Sequence, residues 1–138
     1  MQLYMLTFTD TTFSYEGHSE DFLIGIFETE NQAKQIAEYY LEYVEGFNKY
    51  PIVYQIENVQ ICDETDEKEI PKTVYMIWAW DCNECQDEIH VVHSQCYASE
   101  ETVRVEYERL KEKVSRQEWT VDEYQVGKNL WSEGFVRS

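Results

Sequence analysis

The feature that most constrains this chain is self-similarity at an interval of about 70 residues. Tyr4-Met5-Leu6 recurs as Tyr75-Met76-Ile77, and Tyr54-Gln55-Ile56 recurs as Tyr124-Gln125-Val126. A chain that returns to the same local pattern is read first as two structural copies, since equivalent segments obey equivalent folding rules. The copies span residues 1–62 and 73–138, joined by an acidic linker over 63–72.

Within the first copy, Leu3 to Phe8 is rich in β-forming residues and Thr9 to Asp21 is a polar loop. Phe22 to Phe27 is a second apolar run. Thr29 with Gln32 three positions later forms a capping-box signature, and Ala33, Ile36, Ala37, Tyr40 and Val44 follow on one helical face. This spacing predicts a helix of about four turns from Glu30 to Glu45. Gly46 suits the left-handed residue that stops it. Ile52 to Ile61 then alternates as a strand. The second copy repeats the plan: a strand over Thr73 to Trp80, a loop around Cys82 to Asp87 and a strand over Ile89 to Tyr97. Ser99 caps a helix lined by Val103, Tyr107, Leu110 and Val114, and Trp119 to Val126 closes the copy.

The expected fold class is therefore α+β, two tandem β-β-α-β repeats that each resemble half of a ferredoxin-like fold. A unit of about 65 residues buries too little surface to be comfortable alone. The copies are accordingly expected to pack about a pseudo-two-fold axis as one integrated globular domain. The 43% hydrophobic content, with eleven Tyr, six Phe and four Trp, predicts an aromatic-rich core.

Charge narrows the function classes. The formal charge is −17, and residues 1–70 carry 15 acids against 3 bases while residues 71–138 carry 13 against 8. Such an excess repels phosphate backbones and anionic membranes and favours basic partners. The absence of a basic leader, of a long apolar run and of a disulfide-like cysteine framework points to the cytoplasm.

Asp122-Glu123-Tyr124-Gln125-Val126 followed by Trp131-Ser132-Glu133-Gly134-Phe135 resembles the ending of a family of small bacterial domains of unknown function. Leu23-Ile24-Gly25-Ile26-Phe27, with Ala33 in the helix and Gly46-Phe47 after it, resembles that family's central region. Each copy matches a different part of the pattern. The resemblance carries no catalytic role.

Two sets of residues are candidates for chemistry. Cys82, Cys85, His90 and His93, with Cys96 beyond them, put soft thiolates and imidazoles at the short spacing a tetrahedral zinc site uses. Against zinc, a regular strand through Ile89 to Tyr97 sends His90 and His93 to opposite faces. No helix N-terminus follows the Cys-x-x-Cys pair, which argues against a redox role. There is no phosphate-binding glycine loop, nucleophile elbow or HExxH helix, so no enzyme is expected.

The second set is the acidic surface: Glu38, Glu42 and Glu45 on the outer side of the first helix, and Asp63, Glu64, Asp66, Glu67 and Glu69 in the linker. Glu16, Glu20 and Asp21 add to the loop side. Fixed carboxylates at this density can imitate nucleic-acid phosphates and steer a basic partner. Tyr39, Tyr40, Tyr43, Tyr50 and Tyr54 are either core or contact anchors beside the acids, with most expected in the core; Trp131 and Phe135 are expected as a hydrophobic lid, or as interface candidates if exposed. The leading expectation is an acidic, non-enzymatic inhibitor of the toxin-immunity or phage anti-defence type, covering the basic surface of a nuclease or other nucleic-acid enzyme. The alternative is a small metal- or ligand-binding accessory module with zinc at the Cys82 to Cys96 hairpin.

Overall fold

A computed structural model describes residues 2–12, 20–63, 70–84 and 87–130. In chain order it comprises β1 (Gln2–Asp10), β2 (Glu20–Phe27), α1 (Glu30–Tyr43), β3 (Ile52–Gln60), β4 (Thr73–Cys82), β5 (Glu88–His93), α2 (Glu100–Lys113) and β6 (Glu118–Gln125). Both helices start where a hydroxyl can take an orphan amide. The Thr29 Oγ1 accepts from the Gln32 N–H at 3.1 Å and the Ser99 Oγ from the Thr102 N–H at 3.4 Å. α1 stops at Tyr43, short of the expected Glu45: Val44 turns to extended backbone, Glu45 lies in the turn beyond the helix, and Gly46 takes φ 90 there.

The strands form two three-stranded sheets, ordered β2-β1-β3 and β5-β4-β6. In each, the leading strand is central, and β1–β2, β4–β5 and β4–β6 are antiparallel. Met5 and Leu6 are adjacent in sequence and so face opposite sides, yet both are buried; Met76 and Ile77 repeat this. The central strands are therefore apolar on both faces, which accounts for the nearly unbroken hydrophobic runs that open each half of the chain.

Two compact units partition the chain: Gln60–Gln125, and Gln2–Val59 together with the segment that begins at Val126. Neither is a plain half of the sequence. In the unit built on β4, the Cys96 N–H donates to the Gln60 carbonyl at 2.8 Å and the Cys62 N–H to the Cys96 carbonyl at 3.0 Å. Cys96 forms a parallel bridge with Ile61 and Tyr97 an antiparallel one with Tyr75, so the end of β3 lies along that unit. In the unit built on β1, the Gly127 N–H donates to the Ile26 carbonyl at 2.7 Å and the Leu130 N–H to the Ile24 carbonyl at 2.9 Å. The chain beyond β6 thus lies along β2.

The core between α1 and its sheet consists of Leu6, Phe8, Phe22, Ile24, Phe27, Ala33, Ala37, Tyr40, Val44 and Phe47. Ala33 and Ala37 let the helix approach closely, and the rings fill the space beyond them. Phe47 meets Phe8 at 5.3 Å and Phe22 at 5.5 Å, both edge-on, the geometry that ring quadrupoles favour. The core under α2 is thinner, with Ile77, Tyr97 and Val103 buried and Tyr75, Tyr107, Leu110, Trp119 and Val121 packed around them.

β5 is shorter than the run Ile89 to Tyr97 suggests. Opposite β4, Ala79 pairs with Val92 and Asp81 with Ile89, so His90 and Val91 together face Trp80 in a bulge. His90 there has φ 55, the one positive φ among described residues other than glycine. Beyond His93 the Ser94 hydroxyl, rather than a carbonyl, accepts the Ile77 N–H at 2.9 Å, and the regular ladder stops.

Candidate functional site

The outer face of α1 carries the features that packing does not explain. Glu38, Glu42 and Glu45 are all exposed, and among the described residues none of the three takes part in an ion pair. Beside them Tyr39 and Tyr43 are 54% and 64% exposed, with ring centroids 5.4 Å apart. Tyr54 is 40% exposed and Tyr50 half-buried, so of the five tyrosines expected mainly inside, Tyr40 alone is a core residue. The helix explains it: Ala33, Ala37, Tyr40 and Val44 share the core face, and Tyr39 and Tyr43 are rotated off it.

α2 makes the contrast. There both arginines are met by glutamates on the same helix, Arg104 by Glu100 and Arg109 by Glu106, as Lys34 meets Glu30 at the start of α1. The Arg109 guanidinium holds the Glu106 carboxyl below its ordinary range, mainly through the hydrogen bond. α2 also ends on Lys111 and Lys113, as the negative end of a helix dipole favours, whereas the last turn of α1 has no base and carries Glu42. Acids at that end cost about 0.3–1 kcal/mol each. Glu42 thus sits against the local electrostatic preference.

The other acidic candidates divide. The Asp63 carboxylate accepts the Ala98 N–H at 2.6 Å and the Ser99 N–H at 2.8 Å, so it anchors the entrance to α2. Asp21 is exposed and accepts the Thr9 hydroxyl at 2.7 Å. Glu64, Asp66, Glu67 and Glu69 lie outside the described residues, as do Glu16, the Glu20 side chain, Trp131 and Phe135.

Around the Cys82 to Cys96 hairpin, the His90 Nδ1–H donates to the Asp81 Oδ2 at 3.1 Å, and the Asp81 Oδ1 accepts the Gln117 N–H at 2.9 Å. These two hydrogen bonds, the histidine's first, hold the Asp81 carboxyl below its ordinary range. The Arg116 Nε donates to the His90 carbonyl at 2.7 Å, fixing the bulge. The His93 Nδ1–H donates to the Ser94 carbonyl at 2.7 Å and its ring lies 5.1 Å from that of Trp78. Cys82 ends β4, half-buried, and Cys85 lies outside the described residues. Among the described residues no group of three or more His, Cys, Asp or Glu side chains is placed to hold a metal ion.

Cys96 is fully buried, and burial pushes its thiol up to about 12. Cys62 is exposed, its thiol raised less, by partial burial first and then by Asp63. At about pH 8 a thiol reagent should modify Cys62 in the native protein and Cys96 only after unfolding, as read by peptide mass spectrometry. The linkage has a definite sign. A thiol with a raised folded pKa stays protonated in the native state, while the unfolded thiol loses its proton above about 8.5. Stability should therefore fall as pH rises from about 9 towards 12. A Cys96→Val variant should show a shallower fall in Tm, and equal slopes would show that the thiol does not contribute.

Comparison with family models, curated proteins and solved structures gives no match. No described helix is long and apolar enough to cross a membrane.

Proposed function

We propose that this chain is an acidic, non-enzymatic binding protein acting in the cytoplasm, whose α1 face covers a basic surface of a partner protein. The partner type that fits is a nuclease or other nucleic-acid enzyme, met by an inhibitor of the immunity or anti-defence kind. The supporting observation is that Glu38 and Glu42 on the outer face of α1, and Glu45 in the turn after it, meet no cation among the described residues and lie beside two exposed aromatic rings, Tyr39 and Tyr43. Aromatic side chains supply contact area at low entropic cost, and a surrounding field of one sign accelerates encounter. Spaced along the helix and into the turn that follows it, the carboxylates can stand in for backbone phosphates.

The fold is read as two copies of one β-β-α-β unit. Both sheets place the leading strand centrally, and both helices start at a hydroxyl cap after the second strand, which supports duplication. The face of acids and exposed tyrosines then belongs to one copy, since α2 pairs both of its arginines with its own glutamates and ends on Lys111 and Lys113.

The test is a partner captured from the native cells and titrated with salt and with DNA. Affinity should fall by about tenfold or more between about 50 and about 300 mM salt, and duplex DNA should displace the protein from its partner. Binding that ignores both salt and DNA rules out phosphate imitation.

A further inference from the structure

We infer that the outer edge of β2 is a strand-accepting surface, occupied within one chain by its own segment Val126 to Leu130 and open to the same segment of a second copy. The seat is built for a backbone. The carbonyls of Ile26 and Ile24 accept the N–H groups of Gly127 and Leu130. Between them, a Cβ on Gly25 would lie 2.8 Å from the Lys128 carbonyl oxygen, so a side chain at position 25 would exclude the segment. Glycine at this edge position is what backbone-to-backbone approach requires.

The same segment is weakly held. The backbone hydrogen bonds from Gly127 and Leu130 fasten it, Leu130 is 41% exposed, and the Asn129 Oδ1 is buried with no hydrogen-bond partner among the described residues. A buried acceptor left unpaired works against docking. The chain enters the segment through Gly127 at φ 86, with nothing within 4 Å of where its Cβ would be, so the hinge is set by backbone conformation rather than by packing. Such a segment opens locally without unfolding the sheet it lies on.

Opening bares the carbonyls of an edge strand, which a strand from another chain can pair. A second copy presents the identical segment, so exchange rebuilds the same hydrogen bonds between chains, and tethering alone keeps the monomer favoured until the protein is concentrated. Charge fixes a further property. Two chains of −17 repel each other, so the exchanged dimer should grow with added salt, the opposite of the response expected for a basic partner.

The experiment uses the full chain. Hydrogen exchange on the wild type should show the Gly127 and Leu130 amides opening together and well before those of β1; exchange in step with β1 overturns the proposal. Light scattering after size exclusion should find a dimer at about 1 mM protein, more of it at about 500 mM salt than at about 50 mM. Gly127→Val strains the closed hinge and suits an extended one, so it should raise the dimer fraction about tenfold. A variant that stays monomeric, whether its tail is docked or frayed, overturns the proposal equally.

Discussion

Replacing Phe47 by alanine should destabilise the protein by about 3–5 kcal/mol, the range for removing a buried aromatic ring from a core that closes only partly around the gap. Phe47 lies outside regular structure, three residues after the C-cap of α1, yet it is 1% exposed. Its ring touches Phe8 from β1, Phe22 from β2 and Tyr40 from α1, the last at 5.5 Å. One turn residue therefore joins both strands to the helix, and its loss loosens all three. Urea unfolding measures the change. Tyr39→Ala, an exposed ring on the same helix as Tyr40, should stay within about 0.5 kcal/mol and serves as the comparison. A similar small effect at Phe47 would mean that the aromatic cluster does not hold α1 to its sheet.

Reversing the charge of α1 should move two measurements in opposite directions. In a Glu42→Lys, Glu45→Lys double variant the last turn of the helix and the turn just beyond it gain the cations the helix dipole favours, and stability should rise by about 0.3–1 kcal/mol per site. Binding to the partner should weaken by about 2–4 kcal/mol, roughly thirty- to a thousand-fold, because two attractive contacts become repulsive. A mutation that merely unfolds the chain lowers both, so the opposed signs separate a contact surface from a scaffold. Unchanged affinity in a more stable protein would instead assign these glutamates to solubility.

The elements themselves were legible because each depends on local pattern. The caps at Thr29 and Ser99, the core face Ala33-Ala37-Tyr40-Val44 and the two-sided apolar run at Met5-Leu6 are written within a few residues of where they act. What pattern does not encode is which edge a strand meets. Ile61 finds Cys96, and Gly127 finds Ile26, through backbone groups that every residue possesses, so no side-chain periodicity announces either pairing. The same holds for Asp63, which reads as one more linker acid until its carboxylate is seen on the amides ahead of α2. Hydrophobicity ran on through Ile89 to Tyr97, but a hydroxyl at Ser94 took the place of a ladder carbonyl and the strand stopped early. For the acidic face, position on the helix was legible in Glu38 and Glu42, whereas Glu45, expected on the same helix, lies in the turn after it. Whether the rings beside them lie in the core or serve as contact anchors was left open by the sequence, because tyrosine is as much at home inside as outside and only the angle around the helix distinguishes Tyr39 from Tyr40.

The route of the chain bears on how it is made. Ribosomes release β1 and β2 long before β6, yet the unit that holds these two strands also includes the stretch starting at Val126. Whatever forms early must wait, with the β2 edge uncovered, until Val126 to Leu130 have also emerged from the exit tunnel, about 5–20 s after β2 at typical elongation rates. During that interval neighbouring chains on one messenger would carry the same open edge, and the excess of negative charge keeps them apart.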